Sequence, residues 1–127
     1  MAIKNALMTG ITDLLILSIL SKEDAYAYDI SKQIKASSND ALTISLNTIY
    51  TAIYKLEREG YVTEYSKLVG RKRTRVYYHL EDKGYAYAKE LSDNYLTITA
   101  GVDTFLQTMN LPSAKTDTES NNGDAQT

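Results

Sequence analysis

The sequence has no cysteine and no tryptophan, and it has one proline and one histidine among 127 residues. Without cysteine there is no disulfide framework and no thiolate metal site, which fits a reducing cytosol. Zinc sites and catalytic triads combine histidine with other ligands or catalytic residues. The single histidine, His79, lies in a predicted strand. Glycine-rich phosphate loops are also missing. We therefore predict no catalytic residue, no metal and no cofactor.

Long apolar runs are missing as well. The stretch from Leu14 to Leu20 is interrupted by Ser18, and a membrane span needs about 18 apolar residues. The first residues do not resemble an export signal. With 43% hydrophobic and 24% charged residues, the composition is that of a globular domain. We expect a cytoplasmic protein with one compact core and no membrane partner.

Excess positive charge is missing overall, because the formal net charge is −2. A polycation of the histone kind is thereby excluded, and any nucleic-acid binding must come from local clustering. Such a cluster exists between Tyr65 and Leu80, where five basic residues and no acidic one occur. They are Lys67, Arg71, Lys72, Arg73 and Arg75.

Apolar residues at helical spacing predict three helices before Gly60. They are Ile11 to Leu20 in the first helix, Ala27, Ile30 and Ile34 in the second, and Ile49, Ile53 and Leu56 in the third. Ser45 is a good N-cap for the third helix, and Gly60 suits the left-handed position after its end.

A hairpin and a long helix are predicted after Gly60. Tyr61–Lys67 and Thr74–Leu80 have the β-branched and aromatic content of strands, joined by a projecting loop from Leu68 to Arg73. From Asp82 onward, apolar residues alternate at spacings of four and three, the pattern of a coiled-coil seam. This seam predicts a two-fold dimer through Ala88, Leu91, Tyr95, Ile98, Val102, Phe105 and Met109.

The predicted fold class is mostly α with a small β hairpin, a winged helix-turn-helix followed by a long C-terminal dimerisation helix. We expect the winged domain with its N-terminal helix in residues 1–81 and the dimerisation helix in residues 82–109. Residues 110–127 are rich in small polar residues without apolar period, which predicts a disordered tail.

The third helix and the hairpin together predict binding to double-stranded DNA. Short polar side chains on the first turns of a helix reach base edges in the major groove. The candidates are Asn47, Thr48, Thr51 and Lys55, with Tyr50 and Tyr54 contacting the backbone. The hairpin cations Arg71, Lys72, Arg73 and Arg75 repel one another unless an anion is nearby, and arginine suits phosphates or a narrow minor groove.

Four segments carry a specific resemblance: Ile44–Tyr50, Leu56–Val62, Arg73–Leu80 and Asp82–Gly84. Together they resemble the PadR family of winged-helix transcriptional regulators, in its shorter subfamily with a single C-terminal helix. The resemblance implies a homodimeric repressor at an inverted-repeat promoter site. Its reading helix would be Asn47 to Lys55, with Thr48 and Tyr50 at the signature positions and the hairpin in the flanking groove.

Other interpretations remain open. The polar helix face could be an ordinary solvated surface, and the cationic hairpin could dock an acidic protein. The resemblance also implies a sensor that binds a small aromatic effector at the dimer interface. Tyr95 is then the candidate ligand residue, although it could equally pack in the seam. Glu57 and Glu59 point to different faces of one helix, so we do not expect a catalytic carboxylate pair.

Overall fold

The computed structural model describes residues 10–110. In order, they form the helices and strands α1 (Thr12–Leu20), α2 (Ala27–Ser37), α3 (Leu46–Arg58), β1 (Val62–Val69), β2 (Arg73–Leu80) and α4 (Asp82–Thr108). The predicted fold class, a winged helix-turn-helix with a long last helix, is confirmed. The predicted disordered tail lies, except for its first residue, outside the described residues.

The chain divides into two compact units, with the boundary after Ser92 inside α4. The first unit contains α1 to α3, the hairpin and the first turns of α4. Its fully buried residues include Ile16 and Leu17 of α1, Ile30 of α2, and Ile49 and Ile53 of α3. All three helices thus contribute one apolar face to a common core, as their spacing predicts.

Both ends of α3 form as the sequence predicts. At its start the Ser45 hydroxyl accepts a hydrogen bond from the backbone amide of Thr48 at 3.2 Å, which satisfies one of the free amides of the first turn. At its end Gly60 adopts a φ of +83°, and the amide of Tyr61 donates to the carbonyl of Leu56 at 3.0 Å. This glycine closure turns the chain directly into β1.

The hairpin is more regular than predicted. Antiparallel pairing runs from Val62 opposite Leu80 to Val69 opposite Arg73, so the turn is only Gly70–Lys72. The predicted loop from Leu68 to Arg73 was therefore too long. Leu68 pairs with Thr74, and Gly70 takes the positive φ of +70° that lets the chain reverse quickly.

Strand pairing divides the hairpin into two faces, because directly opposed residues lie on the same side of a sheet. The inner face includes the buried Val62, Tyr78 and Leu80, which complete the core. We call the opposite side the outer face. Its cross-strand pairs are Thr63 with His79, Tyr65 with Tyr77, Lys67 with Arg75, and Val69 with Arg73.

The link between α1 and α2 pairs with β2 through a single β-bridge between Ala25 and Tyr78. The amide of Ala25 donates to the carbonyl of Tyr78 at 3.3 Å, and the amide of Tyr78 donates back to the carbonyl of Ala25 at 2.8 Å. The hairpin is therefore hydrogen-bonded to the segment that immediately follows α1.

The first turns of α4 pack against the core of the first unit. Gly84 is buried, and a Cβ atom at this position would overlap the side chain of Leu80 and the carbonyl oxygen of Tyr61. Ala88 and Leu91 are partly buried against the same core. Across residues 10–110, none of the helices combines the length and apolarity that a membrane crossing requires.

Candidate nucleic-acid interface

One side of α3 is exposed along its whole length because the other side is held in the core. All six residues predicted to contact DNA from this helix have exposed side chains: Asn47, Thr48, Tyr50, Thr51, Tyr54 and Lys55. A groove of about 940 Å³ runs along this side, with its opposite wall formed by Thr12 and Asp13 of α1. The structure thus brings the predicted polar residues onto one accessible surface.

The polar side chains on the first turns of α3 differ in whether they already form hydrogen bonds within the chain. The Thr51 hydroxyl donates to the carbonyl of Asn47 at 2.9 Å, and the hydroxyls of Ser45 and Thr48 are 3.0 Å apart. Among the described residues, the Asn47 side-chain amide has no hydrogen-bond partner. A free amide is the group that pairs in a bidentate way with adenine, so Asn47 is the best placed of these residues for reading a base.

Lys55 is engaged within the chain. Its Nζ lies 2.6 Å from Oδ2 of Asp13, a side chain that is only 11% exposed, whereas Lys55 is 51% exposed. A DNA contact by Lys55 would have to compete with this ion pair. The pairing joins α1 to α3 across the sequence, and no local pattern could have indicated it.

Arg58 is a further cation on this side, which the sequence analysis missed. It lines the same groove and is exposed. Its spacing of seven residues from Thr51 and three from Lys55 places it on their helix face. That periodicity was a usable signal, but the position at the end of the helix obscured it.

Tyr50 and Tyr54 form a stacked pair with ring centroids 6.1 Å apart, on the flank of α3 nearest to Tyr78 of the inner face. Burial raises the pKa of Tyr78, and the neighbouring Glu64 and Tyr50 raise it further. Tyr78 therefore stays protonated, while the exposed hydroxyls of Tyr50 and Tyr54 are accessible to a ligand.

Two carboxyl groups meet between α3 and the inner face. Burial raises the pKa of Glu57 to about 7, and a hydrogen bond to Glu64 and the charge of Glu64 contribute. Near neutral pH the pair therefore retains one proton in a fraction of molecules. Glu57 lies on α3 and Glu64 on the following strand, so helix spacing could not have identified the two residues as partners.

The hairpin cations fall into two groups. Arg71 and Lys72 are exposed in the turn, and Arg73 is exposed at the start of β2. Arg75 is half-buried, with its guanidinium 4.0 Å from the ring centroid of Tyr26, and the Nζ of Lys67 lies 5.3 Å from the ring of Tyr77. The predicted cluster is therefore a charged turn that continues onto the outer face.

The base of the outer face is held by Asp24. Tyr65 donates from its hydroxyl to Oδ2 of Asp24 at 2.7 Å, and Nδ1 of His79 lies 2.8 Å from Oδ1. The Asp24 carboxylate raises the pKa of His79. Burial opposes ionisation of Asp24, but the hydrogen bonds from Tyr65 and His79 outweigh it and lower the pKa of Asp24.

The predicted dimer residues are divided between the two units. Ala88 and Leu91 lie in the first unit and contact its core. The remaining five lie in the second unit, with exposed fractions between 40% and 63%. They are Tyr95, Ile98, Val102, Phe105 and Met109, and we call them the α4 stripe.

A helix-turn-helix whose second helix presents an exposed polar face, followed at once by a cationic hairpin, defines a winged-helix protein. The chain belongs to the transcriptional regulator PadR-like family, whose model matches residues 16–90.

Solved structures of similar proteins agree with this assignment. A transcriptional regulator from Clostridium thermocellum is 30% identical, with 80% of this chain and 95% of that chain covered and a TM-score of 0.72. A PadR family transcriptional regulator from Eggerthella lenta is 27% identical, with coverage of 84% and 91% and a TM-score of 0.72. Bacillus subtilis PadR, solved with operator DNA, is 29% identical, with coverage of 68% and 46% and a TM-score of 0.57.

Proposed function

We propose that this protein is a sequence-specific regulator that binds double-stranded DNA through α3 and the hairpin. The observation that carries the proposal is that one compact unit contains both the exposed polar side of α3 and a group of hairpin cations that have no ion-pair partner among residues 10–110. The similarity to a PadR protein solved with operator DNA supports the same conclusion.

In this proposal α3 enters the major groove and the hairpin holds the flanking backbone. Asn47, Thr48 and Thr51 face the bases, while Tyr50 and Tyr54 donate their hydroxyls to phosphates. Lys55 contributes where its ion pair with Asp13 opens. Phosphate contacts come from Arg71, Lys72, Arg73 and Arg75.

We also propose that the protein is a homodimer that represses transcription by occupying an inverted-repeat promoter site in the cytoplasm. The α4 stripe supports the dimer, since four exposed apolar residues along one helix and a fifth, Met109, directly after it are typical of an association surface. Two-fold symmetry then places two α3 helices in successive major grooves, about 34 to 36 Å apart.

Tyr95 is proposed to stack on a small aromatic effector. Its ring is 40% exposed and begins the α4 stripe. Aromatic rings at such a position offer stacking area with a polar hydroxyl. Quenching of tyrosine fluorescence by a panel of planar aromatic compounds, lost in Tyr95→Ala, would support this; quenching unchanged in that variant would contradict it.

The decisive experiment is a gel-shift titration and footprint on fragments selected from the source genome, with excess unrelated competitor DNA. We expect a retained specific band and two protected half-sites separated by one helical turn. Asn47→Ala should abolish the specific band, and Gln33→Ala on α2 is the matched polar control. If the competitor DNA removes the band completely, the proposed sequence-specific DNA binding would be overturned, and an acidic protein would be favoured as the partner of the hairpin.

A further inference from the structure

We propose that the outer face of the hairpin, and not its turn alone, binds the sugar-phosphate backbone of duplex DNA, with Lys67 and Arg75 sharing one phosphate. This inference rests on the proposed DNA binding and deepens it in two ways. It adds Lys67 to the interface, and it specifies which side of the hairpin meets the DNA.

The strand register places Lys67 directly opposite Arg75. Side chains at opposed positions have Cβ atoms about 5 Å apart, and like charges there destabilise a hairpin. Arg73 follows on the same face, about 7 Å further along β2. Three cations are thus concentrated on half of one small surface, an arrangement that an anion between them would stabilise.

No carboxylate neutralises this surface within residues 10–110. Neither Lys67 nor Arg75 has an ion-pair partner there, and Asp29 acts on Arg75 only through its more distant charge. Asp24 lies at the far end of the outer face, where Tyr65 and His79 already occupy its two oxygens. The positive potential near Lys67 and Arg75 is therefore available to an external anion.

Both cations are held in place before any ligand binds. The guanidinium of Arg75 stacks 4.0 Å from the ring centroid of Tyr26, and the Nζ of Lys67 lies 5.3 Å from the ring centroid of Tyr77. Cation–π contacts of this kind restrict the side chains without neutralising their charge. Restricted side chains lose less entropy on binding, which favours a phosphate contact.

The inner face offers no equivalent. Beyond the pair of Glu64 with Tyr78, its side chains are Ser66 and Val76, then Leu68 and Thr74 at the next pair. None of the four is charged, and Leu68 is 63% exposed. The cations of the two strands therefore all lie on the outer face, so the charge pattern of the hairpin selects the side that meets phosphates.

The first test is the salt dependence of specific DNA binding. Lys67→Ala should lower the slope of log Kd against log salt by about 0.9, the value expected for one lost phosphate contact. Lys32→Ala is the matched control, because Lys32 also lies over a tyrosine ring, at 5.5 Å from Tyr28, but belongs to α2. Lys67→Arg keeps the charge and should keep the wild-type slope.

A slope for Lys67→Ala equal to that of wild type would overturn the inference, and the outer face would then serve some other anion, such as an acidic protein surface. This result is distinguishable from failure of the proposed function, in which wild type itself forms no specific complex. Circular dichroism of Lys67→Ala confirms that any change in slope occurs in a folded protein.

The second test uses the absence of cysteine. Lys67→Cys and Ser66→Cys introduce single thiols at neighbouring positions on opposite faces of β1. Bound operator DNA should slow alkylation of the Lys67→Cys thiol several-fold and leave the Ser66→Cys thiol unchanged. Equal rates with and without DNA at the Lys67→Cys thiol, or protection only of the Ser66→Cys thiol, would contradict the proposed orientation.

Discussion

The two units use the same kind of residue in opposite ways. In the first unit, isoleucine and leucine residues at helical spacing are buried in the core, and Ile16 and Ile53 are fully buried. In the second unit, Ile98 and Phe105 at the same kind of spacing are about 60% exposed. Hydrophobic periodicity therefore predicts that a helix face is buried, but not whether the chain itself or a second molecule covers it.

The change occurs within α4. Gly84 allows close approach to Leu80 and Tyr61, and Ala88 and Leu91 continue the contact with the core. Beyond Ser92 the helix carries Thr97, Thr99 and Gly101, which have low helix propensity. The Thr99 hydroxyl bonds back to the carbonyl of Tyr95 at 2.8 Å. Such a segment depends on packing for its stability.

The largest expected effect is a loss of stability when a core residue of the first unit is truncated. Ile53→Ala should reduce the free energy of unfolding by about 2–5 kcal/mol, because it leaves a cavity in the shared core. Ile98→Ala is the matched change at an exposed residue and should cost less than about 0.5 kcal/mol at concentrations where the chain is monomeric. Urea titrations measure both, and equal losses would remove the distinction between the units.

The proposed role of the α4 stripe in dimerisation is tested by measuring self-association. Phe105→Ser should raise the dimer dissociation constant at least about tenfold, which corresponds to about 1.4 kcal/mol. Thr104→Ser changes the neighbouring residue outside the α4 stripe and is the control. Sedimentation equilibrium over a range of concentrations gives the constants. An unchanged constant in Phe105→Ser would exclude the α4 stripe from the interface.

A smaller effect is expected at the start of α3, where structure is set by local sequence. Ser45→Ala removes the oxygen that accepts from the Thr48 amide and should cost about 1 kcal/mol. Ser66→Ala, at an exposed strand position, is the control. If thermal unfolding shows the same small loss of stability in both variants, the cap hydrogen bond of Ser45 does not contribute measurably to the stability of the fold.

The smallest effect is a pH dependence confined to the first unit. Since the pKa of Glu57 is raised to about 7 in the folded protein, the folded state binds more protons than the unfolded state between the ordinary glutamate value and pH 7. Stability should therefore fall as pH rises through that window, by less than about 1 kcal/mol after solvent screening. Glu57→Gln should flatten the curve, and Glu59→Gln should leave it as in wild type.

Local rules account for what the sequence could predict. Capping, helix spacing and the glycine closure identified α1 to α3, and β-branched and aromatic content identified both strands. The turn is shorter than predicted because strand pairing extends two residues beyond Lys67 on β1, to Val69, and one residue before Thr74 on β2, to Arg73. Lys67 was counted among the cations but not assigned to the interface, since the role proposed for it rests on its register opposite Arg75.

Contacts between distant elements could not be predicted. The ion pair of Lys55 with Asp13 and the carboxyl pair of Glu57 with Glu64 each join residues from different elements. Both pairs affect the candidate interface. The ion pair restrains Lys55, and the carboxyl pair places the titratable Glu57 beside the interface. The residues were visible in the sequence, but the distances between them come only from the fold.

The backbone pairing of Ala25 with Tyr78 has a mechanical consequence. Two hydrogen bonds fasten β2 to the short link that leaves α1, so the hairpin cannot swing as an independent arm. A displacement of α1 would be transmitted to the hairpin through the short link to Ala25 as well as through the core, to which both α1 and Tyr78 belong. Because α1 also packs with α3 in the core and its Asp13 holds Lys55, such a displacement would act on the hairpin and on α3 together, so the two elements proposed to contact DNA are mechanically coupled.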